Sequence, residues 1–99
     1  NELTKSFPKD EIFVLTSQIK RAADSISLNI AEGSTGQSDA EFNRFLGIAM
    51  RSAIEVVACL YIAKKREIIR DDQFKELYSE IESLIVSIQS LRKVLKNKK

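Results

Sequence analysis

The sequence predicts an all-α protein, an antiparallel up-down helical bundle that forms one domain over residues 1–99. Apolar residues recur at steps of three and four along three long segments, which is the periodicity of amphipathic helices. Proline and glycine are almost confined to the segment ends, and short turns between long helices favour antiparallel neighbours. The three predicted helices cover approximately residues 8–32, 39–66 and 72–96.

The first predicted helix begins at the only proline and ends at a glycine. Pro8 suits the first helical turn, where its missing N–H costs nothing. Gly33 is placed to end the helix with a positive φ, and residues 34–37 form the turn. Between these limits runs one apolar stripe, which consists of Ile12, Leu15, Ile19, Ala22, Ile26 and Ile30.

The second predicted helix begins with a capping box, in which Ser38 and Glu41 each accept a backbone N–H of the other. Its apolar arc approaches half of the cylinder, whereas one neighbouring core needs a stripe of a little over 100°. We therefore expect a second burial surface on this helix, although scattered apolar residues are also normal on protein surfaces. The predicted apolar oligomer surface comprises Ile48, Met50, Ile54 and Tyr61.

The third predicted helix carries the most regular pattern in the chain. Asp71 is its predicted cap, and the apolar residues after it alternate steps of three and four without interruption. Such a heptad seam is typical of helices packed about 20° from parallel. The seam consists of Phe74, Leu77, Ile81, Leu84, Ile88, Leu91 and Leu95.

Polar residues form stripes of their own on the first two helices, near the turn that joins them. An antiparallel hairpin would bring the four residues next to the turn, Asn29, Glu32, Glu41 and Arg44, near each other. They could form a functional site, or contacts that fix the register of helices or subunits. We predict the structural role. This interface polar cluster comprises Ser25, Asn29, Glu32, Glu41, Arg44, Ser52 and Glu55.

The net charge of +2 is small, but basic residues concentrate in the second half of the chain. Phosphate binding needs Lys and Arg, so this half holds the candidate nucleic-acid contacts. The alternative is that these residues are solvated helix ends, where positive charge is favourable next to the helix C-terminus. The candidates are Lys64, Lys65, Arg66, Arg70, Arg92, Lys93 and Lys96.

Catalysis is not expected, because the chain contains no histidine and only one cysteine. Glu32, Glu41 and Glu55 could bind a metal in principle, but carboxylate sites in helical bundles also use histidine. Cys59 lies in an apolar helix and lacks an evident basic partner. We therefore predict no catalytic residue, cofactor, metal or small-molecule substrate. No run of eighteen apolar residues occurs, so we expect no membrane span. Because Cys59 is the only cysteine, intrachain disulfides are excluded and we expect a cytoplasmic location.

The densest set of motif residues lies between positions 18 and 55, and it resembles the four-helix-bundle protein family encoded in intervening sequences of bacterial 23S rRNA genes. The residues that carry the resemblance include Ser25-Ile26, Asn29-Ile30-Ala31-Glu32-Gly33-Ser34, Glu41-Phe42, Arg44-Phe45-Leu46, Ile48-Ala49, Ser52 and Glu55. The resemblance implies an antiparallel four-helix bundle that assembles into a homopentamer. A related branch comprises accessory proteins of diversity-generating retroelements, which bind a reverse transcriptase and nucleic acid.

The chain also departs from the pattern of this family. The resemblance implies a long helix ahead of Phe7-Pro8, yet only residues 1–6 precede this motif. Either that first helix has been removed, or the protein is a three-helix bundle with an open groove. Asp24 and Arg51 stand where relatives carry apolar or small residues, and the retroelement proteins are far more basic.

Two functions remain in view. The first is a non-enzymatic oligomeric scaffold or interaction module, which needs only long amphipathic helices and surplus apolar area. The second is a nucleic-acid-binding accessory protein that acts with a reverse transcriptase or ribosomal RNA through its basic patches.

Overall fold

The computed structural model describes residues 2–36 and 38–98, with side chains described from Lys9 onward. The chain forms three helices: α1 (Glu2–Gly33), α2 (Asp39–Lys65) and α3 (Asp71–Asn97). No strand occurs among these described residues. The all-α prediction is thus confirmed, and the bounds of α2 and α3 lie within a residue of the predicted ones.

The start of α1 differs from the prediction, because the helix extends back through Pro8 to Glu2. Proline removes a single hydrogen bond, here to the carbonyl of Thr4, while its φ near −65° still matches a helix. Flanking residues therefore continue the helix at a local cost of about 3 kcal/mol. The expectation that Pro8 marks the first turn is wrong.

Gly33 ends α1, but without the predicted positive φ. The left-handed residue in this turn is Gly36, with φ of 90°. A Cβ on Gly33 would lie 2.8 Å from both Phe42 Cδ1 and Phe45 Cβ. Glycine is needed at position 33 because two phenylalanines of α2 pack directly against the α1 backbone.

The caps of α2 and α3 also differ in detail from the prediction. Ser38 Oγ accepts the backbone N–H of Glu41 at 3.0 Å, so the predicted N-cap of α2 is confirmed. The carboxylate of Glu41 accepts a bond from Arg44 instead of returning to Ser38. In α3 the N-cap is Arg70, whose backbone N–H donates to Gln73 Oε1 at 2.9 Å, and Asp71 is the first helical residue.

The three helices form a layer with α2 in the middle. In the described part of the chain α2 contacts both α1 and α3, whereas α1 and α3 do not contact each other. The molecule is elongated and flattened, with extents of 63 × 23 × 13 Å along its principal axes. In the contacting pairs, residue numbers increase along one helix and decrease along its neighbour. The pairs are Glu11 with Arg66, Ser25 with Ser52, Asn43 with Arg92, and Asp39 with Lys98.

The apolar core is centred on α2. Leu46, Ala49 and Ala53 are at most 1% exposed, and they lie in one cluster with Ala22 and Ile26 of α1. From the seam of α3, only Phe74 and Ile88 are buried. A smaller cluster joins Leu15 of α1 to Cys59 and Ala63 of α2. The helix at the centre of the layer is therefore well covered, while α3 at its edge is not.

The predicted apolar oligomer surface of α2 is partly covered within the chain. Ile48 and Met50 are half-buried, and Met50 packs against the main core. Ile54 and Tyr61 remain more than half exposed, although the Tyr61 ring lies 5.0 Å from the Phe74 ring. The exposed apolar area is shared among all three helices rather than confined to α2.

One helix, α2, is long and apolar enough to cross a membrane when only length and composition are considered, with a mean hydropathy of 1.8 over its best window. Core helices of proteins outside membranes also meet this criterion. Arg51 and Glu55 lie near the middle of α2, and α1 and α3 pack against it. The observation is therefore weak evidence for a membrane span.

Candidate functional site

The predicted polar cluster is divided in the structure, and its best-connected part lies in the middle of the α1–α2 interface. The Ser52 hydroxyl and Ser25 Oγ form a hydrogen bond of 2.8 Å. Asn29 Nδ2 donates to the Ser25 carbonyl at 2.8 Å and to Ser25 Oγ at 3.2 Å. Because Ser52 is only 9% exposed, this network satisfies polar groups inside the interface and fixes the register of the two helices.

The other predicted members are not part of this network. Glu41 and Arg44 pair with each other across one turn of α2, and the Arg44 guanidinium lies 4.5 Å from the centre of the Phe45 ring. Within residues 9–36 and 38–98, the side chains of Glu32 and Glu55 are exposed and form no ion pair within 4.0 Å.

Of the four residues expected near each other at the turn (Asn29, Glu32, Glu41 and Arg44), only Glu41 and Arg44 are joined by a contact among the described residues, and the helix register places the four at successive levels. Ser25 lies opposite Ser52, so with opposed numbering Asn29 lies level with about residue 48 of α2. Arg44 is one turn farther along, where it lies level with Gly33. The same register explains the packing of Phe42 and Phe45 on that glycine.

The structure offers no grouped set of metal ligands in its described part, where no three His, Cys, Asp or Glu side chains come together. Cys59 is a free thiol, 4% exposed, in the small cluster with Leu15. Its burial, and secondarily the nearby Glu55 carboxylate, raise the thiol pKa above its usual value. The sulfur therefore stays protonated at neutral pH, when it is a poor nucleophile.

The candidate nucleic-acid contacts lie at opposite ends of α3. Lys64, Lys65 and Arg66 precede this helix and Arg70 caps it, whereas Arg92, Lys93 and Lys96 lie in its last two turns. Arg70 and Arg92 are 22 positions apart, which corresponds to about 33 Å along a helix. The two basic groups are therefore separate surfaces.

At the end formed by the α2–α3 turn, most of the basic side chains have partners within the chain. Arg66 Nη1 lies 2.7 Å from Glu11 Oε1, and Arg70 Nε lies 3.1 Å from Asp72 Oδ1. The hydrogen bond from Arg70 lowers the pKa of the exposed Asp72 carboxyl. Lys64 Nζ lies 4.6 Å from the centre of the Phe74 ring. Because these basic side chains already have partners within the chain, this end fits the alternative of solvated helix ends better than a phosphate-binding surface.

At the other end, two depressions lie between the first half of α2 and the last turns of α3. One, of about 470 Å³, is lined by Asn43, Met50, Gln89, Arg92, Lys93 and Lys96. The next, of about 540 Å³, is lined by Arg44, Gly47, Ile48, Met50, Arg51 and Arg92. Met50 and Arg92 line both, so the two depressions adjoin each other, and we name them together the α2–α3 groove. No acidic residue lines it.

Arg92 is held in a defined position in the α2–α3 groove. Its Nε donates to Asn43 Oδ1 at 2.8 Å, and it is half-buried. The terminal guanidinium atoms would lie 3.2–3.3 Å from a Cβ at Gly47. Because any side chain at position 47 would compete for this space, the glycine lets Arg92 lie directly against the α2 backbone.

Sequence reasoning predicted Arg92, Lys93 and Lys96 as nucleic-acid contacts. It missed the other members of the groove, which include Arg44, Arg51, Asn43, Gly47 and Gln89. One available signal was Gly47 itself. Glycine in the middle of a helix costs about 1 kcal/mol relative to alanine, so its presence there calls for a packing reason. A second signal was that Arg44 and Arg51 are seven residues apart and thus share one face of α2.

The fold and its surfaces define an all-α protein with one buried central helix, an incompletely covered outer helix and a basic groove. The family model of the 23S rRNA-intervening sequence protein matches residues 1–90, and the chain belongs to this family. The resemblance inferred from residues 18–55 is thereby confirmed. Comparisons with curated proteins and with solved structures gave no match.

Proposed function

We propose that this chain is a non-enzymatic interaction module that works as a homo-oligomer in the cytoplasm. Its architecture would be that of an antiparallel up-down four-helix bundle, in which the layer of three helices is completed by further helical surface. The opposed numbering of the contacting pairs supports the antiparallel arrangement. The observation that carries the proposal is the incomplete coverage of the seam on α3.

This seam is regular in sequence and yet only partly buried. Ile88 is 3% exposed, whereas Leu77 and Leu91 are 42% and 37% exposed. A heptad seam of this regularity is typical of helices that pack along their whole length against another helix. Since α2 covers only part of it, another helical surface is expected against the remainder.

The flatness of the layer supports the same proposal. A single layer leaves two faces of every helix without a helical neighbour, and a chain of 99 residues has little core to spare. Large exposed apolar side chains accordingly occur on all three helices, where a partner subunit could cover them. They include Phe13, Val14, Leu28, Ile54, Val86 and Val94.

The subunit number implied by the family resemblance is five. Native mass spectrometry should therefore give an assembly with five times the chain mass of 11.2 kDa. The paired variants are Leu77→Asp with Leu91→Asp, which charge the uncovered seam, and Ser79→Asp, which charges an exposed polar position of the same helix. The seam variant should dissociate the assembly and the control should not.

Two outcomes would contradict this proposal. One is a wild-type chain that stays monomeric at tens of micromolar while circular dichroism shows all its helices. The other is an assembly that survives both seam substitutions, because the uncovered part of α3 would then lie outside the contact.

A second candidate function is nucleic-acid binding, alone or together with a reverse transcriptase or ribosomal RNA. The observation that favours it is the α2–α3 groove, because basic residues line it without an acidic one. Fluorescence anisotropy with a labelled RNA at 50 and 200 mM salt tests this function. Binding should weaken steeply with salt, since phosphate contacts release counterions. Weak binding that salt does not change would exclude it.

A further inference from the structure

We propose that the α2–α3 groove binds the phosphodiester backbone of a nucleic-acid strand without reading its sequence, and that Arg92 is the principal phosphate contact. This inference rests on the second candidate function and assigns it a site. Arg44 and Arg51 line the same groove from α2, and Lys93 and Lys96 line it from α3.

The charge of the groove favours a polyanion. Five basic side chains line it, and the nearby carboxylate of Glu41 is paired with only one of them, Arg44. Each of the other four adds positive charge that no acidic lining residue offsets. Basic groups concentrated in a concave surface attract phosphate more strongly than the same groups dispersed over a helix.

Arg92 is positioned for phosphate before any ligand arrives. Its Nε bond to Asn43 fixes the plane of the guanidinium, and Gly47 leaves room for that plane against α2. The terminal N–H groups of an arginine held in this way can form paired bonds to phosphate oxygens at little further cost in side-chain entropy.

The spacing of the basic residues fits several phosphates in a row. Arg44 and Arg51 are two helical turns apart, or about 10 Å, so they can contact different phosphates of one strand. Arg92 and Lys96 are one turn apart on the facing helix. The groove therefore offers contacts along a strand rather than a single anion site.

The lining also explains why sequence would not be read. No aromatic side chain lines either depression, so bases have no stacking partner there. Of the two side-chain amides in the lining, Asn43 has its Oδ1 occupied by Arg92, which leaves Gln89 as the one with both amide groups open to a base edge among the described residues. Most contacts would therefore go to phosphates, which position a strand but carry no sequence information.

The first test compares two variants that each remove three positive charges. The groove variant is Arg51→Gln, Arg92→Gln and Lys96→Gln, and the matched control is Lys64→Gln, Lys65→Gln and Arg70→Gln at the opposite end. Affinity for a labelled 20-nucleotide RNA should fall at least tenfold in the groove variant and less than twofold in the control. Equal losses in both variants, or unchanged binding by the groove variant, would overturn the assignment of the site.

A second variant keeps every charge and tests the position of Arg92. In Asn43→Ala the Nε of Arg92 loses its 2.8 Å acceptor, so the guanidinium is no longer held in one plane. Alanine favours the helix, so folding should be preserved while RNA affinity falls severalfold. Unchanged RNA affinity in this variant would overturn the role given to the position of Arg92.

Competition with sodium tripolyphosphate distinguishes a strand from a small polyphosphate. At equal phosphate concentration, RNA should bind more tightly than tripolyphosphate. If tripolyphosphate displaces the RNA at a phosphate concentration below that of the RNA, a nucleic-acid strand is not the preferred ligand. Failure of the site is also separable from failure of the function. If wild-type protein binds no RNA, nucleic-acid binding is excluded, whereas RNA binding that the groove variant retains excludes only the groove.

Discussion

Helices α2 and α3 are equally long, yet the helix with the more regular apolar pattern, α3, has fewer buried residues than α2. The apolar residues of α2 are spread over a broad arc, and eight residues of this helix are buried. The seam of α3 is uninterrupted, and only Phe74 and Ile88 are buried. A regular apolar pattern therefore defines which face of a helix can be covered, while the number of neighbouring helices decides how much of that face is buried.

The difference follows from the position of each helix in the layer. As the middle helix, α2 receives side chains from α1 on one side and from α3 on the other. Small residues such as Ala49 and Ala53 let these neighbours approach closely. Because α3 has a single neighbour within the described chain, one side of its seam remains open.

The largest expected effect tests this contrast directly. Leu46 is 1% exposed, so Leu46→Ala should lower the free energy of unfolding by about 3 kcal/mol through lost burial and a cavity. Leu77→Ala on the open seam should cost only about 1 kcal/mol. Urea unfolding followed by circular dichroism measures both variants in protein diluted until the proposed assembly has dissociated. Equal costs in the dissociated chain would mean that the structure of one chain already buries Leu77 as fully as Leu46.

The close approach of α1 and α2 should give the next largest effect. The methyl group of Gly33→Ala would overlap Phe42 and Phe45, and overpacking of this kind costs about 2 kcal/mol. Gly36→Ala is the control, because its Cβ meets open space and only the left-handed φ opposes it, at about 1 kcal/mol. Thermal unfolding compares the two. A larger cost at Gly36 would show that turn conformation, not packing, limits this hairpin.

A smaller effect is expected from the buried hydrogen bond between α1 and α2. Ser52→Ala removes the bond to Ser25, whose Oγ still accepts from Asn29, so the loss should be about 1 kcal/mol. Ser87→Ala at an exposed position of α3 should change stability by less than about 0.5 kcal/mol. Chemical denaturation of both variants is the measurement. Indistinguishable stabilities would remove the Ser25–Ser52 bond from the account of helix register.

The smallest effect is expected at the partly exposed ion pair between Glu11 and Arg66, whose side chains are 30% and 54% exposed. A double-mutant cycle with Glu11→Gln and Arg66→Gln should give a coupling energy of about 0.5 kcal/mol or less. The coupling should disappear in 1 M salt, where charges are screened within about 3 Å. Coupling above about 1 kcal/mol that persists in high salt would show a contact more buried than this one.

Most of the fold could be predicted from local patterns. The three helices, the cap at Ser38 and the turn after Gly33 follow from periodicity, capping chemistry and glycine placement, which act over a few residues. The start of α1 could not be predicted, because Pro8 is compatible with either a helix start or a continued helix. The positive φ occurs at Gly36 rather than at Gly33. Both glycines suit a turn, and Gly33 is needed instead for its close packing against Phe42.

The candidate site was less predictable, because it depends on the register of one helix against another. Arg92, Lys93 and Lys96 were identifiable as basic residues, but their partners Asn43 and Gly47 lie more than forty positions away in sequence. Likewise, the seven polar residues near the first hairpin share stripes, and only the pairing of Ser25 with Ser52 shows which of them meet.

By itself the sequence determined that this protein consists of long amphipathic helices, because the periodicity of apolar residues and the capping groups act along a single chain segment. It also determined the family, through the motif residues between positions 18 and 55. Only the tertiary structure decided which apolar face is covered and which basic residues share a surface. Those properties depend on how the helices are placed beside one another, and residues far apart in sequence come within contact distance only when that placement is fixed.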